Sequence, residues 1–327
     1  MYFLGAGASF GAGAYATVQA GGRVPIPTQA NFWVTFLRFC NSSKNRNVVE
    51  AFLFRYFLGY GKKPSRITPT KKADLLSRID VEEVFTFLSE RSRAPSTSTQ
   101  LRTYVQKVWR ALAEEIGRVF HRFTANKATR TLYRTLIKNH FRRSDAIVSF
   151  NYDTVFEDSL PKGKRRSYVG ISHSPGIPIY KPHGSINWVR NGGGISVTDS
   201  PEHCVVVAPT HLKFISGHEN GGETSGYLDQ SLEISNVWSL MEREMRAAAA
   251  LVFIGYSFPV ADLYFASVLR SVLADRDDPA PAVVIVNPDA VAIAERVAKR
   301  FPLAKIVKYY DVHQFANASR KSLLSAT

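Results

Sequence analysis

Five apolar runs in this chain end in small or polar residues whose types suit a phosphate-bearing ligand. The first run, Phe3-Leu4, leads directly into Gly5-Ala6-Gly7-Ala8-Ser9. Gly5 and Gly7, with Ala6 between them, permit a tight strand-to-helix turn and close backbone approach. The helix start that follows would present N–H groups to an anion, and Ser9 would add a hydroxyl donor. This arrangement suits a dinucleotide phosphate. The spacing is shorter than the full Gly-x-Gly-x-x-Gly pattern, however, and taken alone it serves equally as an ordinary glycine turn. The other four runs end at Asn151-Tyr152-Asp153, His183-Gly184-Ser185, Gly255-Tyr256-Ser257 and Asn287-Pro288.

The chemistry of these ends is complementary. The Asn151 amide both donates and accepts hydrogen bonds. His183, with an ordinary pKa near ~6.5, can exchange a proton near neutral pH. A His before Gly at a strand end also serves simply to bond a loop carbonyl; the coincidence of all five ends favours catalysis. Asp153 reads as the cap of a following helix more than as a titrating group.

These residues meet only if their strands lie side by side and parallel. Short β-branched runs at 146–149, 167–170, 177–181, 204–208, 251–254, 282–286 and 305–309 alternate with helical patterns at 231–250, 260–273 and 289–300. Such alternation predicts an α/β fold, a Rossmann-like, mostly parallel sheet with helices on both faces and ligand chemistry at the strand carboxyl ends. Asn151, His183, Ser257 and Asn287 would then converge on a ligand held by the first glycine loop.

Residues 28–142 follow a different period. Leu101, Tyr104, Val105, Val108, Trp109, Leu112, Ile116, Val119 and Phe120 share one helical face. The chain therefore divides into a nucleotide-binding core, residues 1–27 and 143–327, and a large helical insertion, residues 28–142. The insertion, rich in aromatic residues, is expected to supply a lid for the cleft and much of an oligomer interface. Within it, Asp80-Val81-Glu82-Glu83 starts a helix whose acids complement the dipole; the alternative is a carboxylate facing the cleft. Ahead of it, Pro25 and Pro27 fix an extended path before Thr28 caps a helix, a segment that folds over a ligand or merely connects. Residues 191–194 and 217–226 read as mobile loops.

Composition narrows the setting. A formal charge of +15, from 42 Lys and Arg against 27 Asp and Glu, attracts polyanions or an acidic partner at long range. Basic clusters at Lys62, Lys63, Lys71 and Lys72, and at Lys162 to Arg166, would contact phosphate backbones or remain solvated, and neither has the interleaved aromatics of a single-strand platform. Cys40 and Cys204 are the only cysteines, too few for a disulfide framework or a four-cysteine zinc site, and they suit a reducing cytoplasm. No metal site is expected. The uncharged stretch from Met1 to Gly22 lacks a basic n-region and is too rich in Gly and Ala for a membrane span.

Together, in this order, Gly5-Ala6-Gly7-Ala8-Ser9, Asn151-Tyr152-Asp153, His183-Gly184, Gly255-Tyr256-Ser257 and Val286-Asn287 resemble the sirtuin superfamily, specifically the bacterial sirtuin-like NAD-hydrolysing proteins of antiphage defence. The resemblance covers most of the chain outside the helical insertion. It implies that Asn151 and His183 are catalytic, and that Gly5, Ala6, Gly7, Ser9, Thr28, Asp153, Gly184, Gly255, Ser257 and Asn287 bind NAD as substrate. It further implies a cytoplasmic homo-oligomeric NAD glycohydrolase, controlled by self-association, by an associated ATPase or other defence-system protein, or by a phage-derived signal. Two departures matter. No four-cysteine zinc module is present, so no zinc is expected, and Val24-Pro25-Ile26-Pro27-Thr28 lacks the Asp-Phe-Arg that follows the glycine loop in protein-deacylating members. Two alternatives stand beside hydrolysis: a catalytically inert NAD or ADP-ribose sensor, and a basic nucleic-acid-binding subunit of a defence complex.

Overall fold

The computed structural model describes residues 1–18, 22–60, 67–161, 166–172, 174–191, 194–198, 204–206, 232–259, 262–274, 281–302 and 304–320. Lys62, Lys63, residues 162–165 and the glycine-rich 217–226 lie outside the described residues.

In chain order, β1 (Tyr2–Leu4) enters α1 (Ala6–Gly11), followed by an antiparallel hairpin of β2 (Tyr15–Thr17) and β3 (Arg23–Pro25). The helices α2 (Phe32–Phe39), α3 (Ser43–Tyr56), α4 (Pro69–Ser77), α5 (Val81–Arg93), α6 (Thr99–Phe120) and α7 (Lys127–His140) occupy the crossover to β4 (Ile147–Ser149). Strands β5 (Arg166–Tyr168), β6 (Ile177–Tyr180), β7 (Gly184–Asn191), β8 (Gly194–Val197) and β9 (Cys204–Val206) come next. The chain then alternates through α8 (Leu232–Ala247), β10 (Ala250–Ile254), α9 (Leu263–Ala274), β11 (Ala282–Val286), α10 (Ala290–Arg300), β12 (Ile306–Tyr309) and α11 (Val312–Asn317).

Seven strands form one sheet in the order β12-β11-β10-β1-β4-β6-β5, every neighbouring pair parallel, with helices packed around it. This is the Rossmann-like α/β arrangement the alternation predicts. Although β1 is only three residues long, all three are buried, and Phe3 stacks on Phe253 of β10 with ring centroids 4.5 Å apart. From β1 the sheet grows one way through β4, β6 and β5 and the other way through β10, β11 and β12. The carboxyl ends of β1 and β10 therefore flank the point where the strand order reverses, which opens a crevice.

The helices of the crossover form because their apolar residues recur at helical spacing and their starts are capped. Ser42, Thr68, Asp80, Ser98 and Asn126 each accept a first-turn backbone N–H. On α6, Val105, Val108, Trp109, Leu112, Ile116, Val119 and Phe120 are buried, in keeping with the shared face read from their spacing. They share one continuous apolar core with the sheet, and the Phe120 ring meets Tyr152, beside Asn151, at 5.9 Å.

One region departs from expectation. The run beginning at Cys204 is not part of the parallel sheet; β9 pairs with β7, and β7 with β8, in a separate antiparallel sheet. Where β7 ends and β8 begins, Asn191 is paired to Gly194. Gly194 takes a φ of +122°, a conformation that side-chain-bearing residues rarely adopt, while residues 192 and 193 of the expected loop lie outside the described residues.

Candidate active site

A cleft of about 730 Å3 opens at the carboxyl ends of β1, β4, β10 and β11, with the crossover helices opposite. Gly5, Ala6, Gly7, Asn151, Asp153, His183, Gly255, Ser257 and Asn287 line it from the sheet side, and Thr28, Arg78, Asp80 and Glu82 from the helical side. Of the residues singled out in the sequence, Ser9 and Gly184 are absent from this lining.

The glycines interlock where β1 and β10 end. A Cβ on Gly5 would lie 2.6 Å from the Gly255 carbonyl oxygen, and one on Gly7 2.8 Å from the same atom. Gly255 itself has a φ of +61° and sits against the backbone of Gly7 and Ala8. The contact uses up donors: the Gly7 N–H donates to Gly255 O at 3.0 Å and the Ala8 N–H to Gly5 O at 2.9 Å. The row of first-turn N–H groups expected to face a phosphate is thus shorter than the sequence suggests.

Ser9 turns away from the cleft. Buried, it donates through Oγ to Asp153 Oδ1 at 3.2 Å and accepts from Asn151 Nδ2 at 3.4 Å. Asn151 also donates to the Gly5 carbonyl at 3.0 Å, so its amide holds the glycine loop from beneath. Asp153 is not a helix cap: its Oδ1 accepts the Val155 N–H at 3.0 Å inside a turn, and a 3-10 segment starts only at Glu157. Burial is the main influence on its carboxyl, pushing it up to about 6; Lys181 opposes that shift and Glu157 adds to it. Burial thus holds the carboxyl of the aspartate read as a passive cap well above the usual carboxylate range.

Beneath these residues lies a buried ion pair that the sequence reading did not identify. Lys181 is fully buried and donates through Nζ to Glu157 Oε1 at 3.0 Å and to the Asp153 carbonyl at 2.7 Å. Tyr168 OH reaches Glu157 Oε1 at 3.5 Å and accepts from Asn187 Nδ2 at 3.0 Å. The Lys181-Pro182-His183 segment after β6 is thereby tied to the Asn151-Tyr152-Asp153 segment after β4. The available signal was a lysine among apolar residues just before His183, which the residue pattern alone leaves without a partner.

His183 is buried beside the rings of Phe150, 5.2 Å away, and Trp238, 6.0 Å away. Trp238 donates its Nε1–H to Pro182 O at 3.0 Å, which fixes the backbone next to the imidazole. Gly184, at a φ of +77°, packs against β9; a Cβ there would lie 2.3 Å from Val205 O. Asn287 Oδ1 accepts the Asp289 N–H at 3.0 Å, and Ser257 O accepts from Arg296 at 2.8 Å. Thr28 donates through its N–H and its hydroxyl to Asn31 Oδ1, opening a short 3-10 turn ahead of α2.

The helical wall brings carboxylates to the cleft. Asp80 caps α5 through Oδ1 and accepts from Gln29 Nε2 through Oδ2 at 2.7 Å. Glu82, in the first turn of α5, is buried at the cleft wall, and its charge adds to the burial that raises the Tyr152 and Tyr256 phenols. Of the two readings of the Asp80–Glu83 start, capping is realised at Asp80, and Glu82 stands among the residues of the cleft lining. Cys40 and Cys204 are buried free thiols, pushed up to about 12 and about 11, chiefly by burial. Among the described residues, no group of three or more His, Cys, Asp or Glu side chains could hold a metal ion, and no helix is long and apolar enough to cross a membrane.

Residues 145–306 match the family model described as a SIR2-like domain. The matched stretch contains Asn151, His183, Gly255 and Asn287, while the glycine loop and the crossover helices lie outside it. The match supports a place in the sirtuin-like superfamily and an NAD-related function in general. No curated protein matches the chain.

Proposed function

We propose that this protein hydrolyses the nicotinamide–ribose bond of NAD to nicotinamide and ADP-ribose, and so depletes NAD in antiphage defence. The observation that carries the reading is the convergence of the Gly5–Gly7 turn, Asn151 and His183 on one cleft whose strand ends fall largely within a SIR2-like match.

The bond has a cationic leaving group. When it breaks, the electron pair passes to the nicotinamide nitrogen, which becomes neutral without needing a proton, and positive charge develops on the ribose. The protein's tasks are to orient the ribose, position a water and keep bulk solvent away. Asn151, whose two N–H donors are taken by Gly5 O and Ser9 Oγ, positions the ribose hydroxyl and the water through its Oδ1, which accepts from them. His183 accepts the proton released as the water oxygen bonds to the ribose carbon, and the Phe150 and Trp238 rings shield it. The carboxylates of the helical wall favour a cation in the cleft. Regulation by homo-oligomerisation or by an associated defence-system protein belongs to the same proposal, with residues 28–142 as the oligomerising region.

The test is to incubate the purified protein with NAD, alone and with the product of a neighbouring gene, while following nicotinamide and ADP-ribose. Stoichiometric release of both is expected. Calorimetric NAD binding without nicotinamide release would replace hydrolysis with sensing. No binding of NAD or ADP-ribose to wild type or to a His183→Ala variant, in any assembly state, would overturn the reading.

A further inference from the structure

Helix α7 presents one face of a single sign. Its charged residues Lys127, Arg130, Arg134 and Lys138 are all exposed, and the helix carries neither Asp nor Glu. They fall at i, i+3, i+7 and i+11, which places them along one side of the helix. Arg142 and Arg143, also exposed, follow its end. None of these six cations has an acidic side chain within ion-pair distance among the described residues. The nearby acids are committed elsewhere, Asp145 to Arg320 at 2.5 Å and Asp158 to Arg166 at 3.9 Å. Arg134 uses Nε on the Ser159 carbonyl at 3.4 Å, which leaves its terminal nitrogens for other work.

The opposite face fixes the stripe in place. Leu132, Tyr133, Leu136, Ile137 and His140 are buried, and His140 bonds Phe315 O at 2.8 Å while its ring stacks on Phe315. Thr129 Oγ1 donates to Ala12 O at 2.8 Å, anchoring the helix start to the segment after α1. The cations thus stand on a rigid support.

We propose that the exposed face of α7 docks the phosphate backbone of duplex nucleic acid. From Lys127 to Lys138 the stripe runs about 16 Å, a length over which a duplex carries roughly ten phosphate charges. The other exposed residues of the helix, Ala128 and Thr131, are small, so the face has no aromatic anchor of the kind that dominates protein–protein interfaces. It equally lacks rings on which unpaired bases would stack, which selects the duplex over the single strand. Recognition is by charge and is independent of base sequence. This surface is distinct from the two basic clusters visible in the sequence, and its test does not depend on NAD turnover.

The experiment measures binding of the full-length protein to a labelled duplex of arbitrary sequence across a salt series. Wild type is compared with a Lys127→Gln, Arg130→Gln, Arg134→Gln, Lys138→Gln variant and with an Arg270→Gln, Lys299→Gln control. Because the substituted side chains are exposed, all three proteins should share one circular dichroism spectrum. Each phosphate contact contributes about 0.9 to the slope of log affinity against log salt, so the α7 variant, which lacks four cations, should lose about 3.6 from the slope while the control keeps it. The proposal is overturned if wild type fails to bind duplex at low salt, if the α7 variant keeps the wild-type slope, or if single strands or polyglutamate bind at least as tightly as duplex.

Discussion

Gly255 and Ala8, 247 positions apart in the chain, lie so close that a Cβ on Gly255 would stand 2.0 Å from the Ala8 nitrogen. This apposition closes the first turn of α1 onto the end of β10 and forms the floor of the cleft. The consequence is testable by contrast with Gly13, which has a similar positive φ of +76° but nothing within 4 Å of the place a Cβ would take. Gly13→Ala should cost about 1–2 kcal/mol, the penalty of left-handed backbone alone. Gly255→Ala adds overpacking of typically 1–3 kcal/mol or more and should shift the denaturant midpoint further by a corresponding amount. Equal shifts would mean that the interlock yields easily.

Lys181→Met should destabilise the fold by about 3–5 kcal/mol, because Glu157 is left as a buried, unpaired charge. Adding Glu157→Gln to the same chain should recover a large part of that loss. Urea denaturation of the two single variants and the double variant measures the coupling, and strictly additive losses would show that the pair contributes nothing as a pair.

The Asp153 carboxyl gives stability a pH dependence of defined sign. With its folded value raised from 3.8 to about 6, the native state binds this proton more tightly than the unfolded state does. Its contribution is therefore greatest at the acid end and is lost as pH rises from about 4 to about 6. Asp153→Asn removes that loss, so the difference in Tm between variant and wild type should move in favour of the variant across this window. A difference that stays flat with pH would assign the titration elsewhere.

Asn151→Ala and His183→Ala should each abolish or severely reduce NAD cleavage. Loss of a general base lowers rate roughly 10²–10⁴-fold, which separates the effect of His183→Ala from a modest folding defect. Asn151→Ala also removes the donor to Gly5 O, so about 1–3 kcal/mol of stability should go with it. Nicotinamide release, circular dichroism and the oligomeric profile belong in one comparison. Folded, assembled variants that turn over NAD at the wild-type rate would remove both residues from the mechanism.

Much of this architecture is written locally in the sequence. Strand ends at Gly5, Asn151, His183, Gly255 and Asn287 follow from apolar runs that stop at glycine or polar residues, and the α6 face follows from a 3.6-residue period. The helix start at Asp80 follows from a capping residue and the acids after it. In each case the physics acts within a few residues of one chain segment, so residue type and spacing suffice, and parallel pairing then places the polar ends on one edge.

Tertiary structure alone decided which way individual side chains turn at that edge and what they meet. Ser9 bonds Asp153 across 144 residues instead of facing the cleft, and Lys181 finds Glu157 on a neighbouring strand connection. The carbonyl of Gly255 takes the Gly7 N–H, and β7, β8 and β9 pair among themselves in a second sheet. A buried donor must find an acceptor or bear the cost of desolvation, but its own segment does not specify which distant acceptor is within reach. That choice, and with it the raised carboxyl of Asp153, exists only once the chain has crossed back on itself and excluded water.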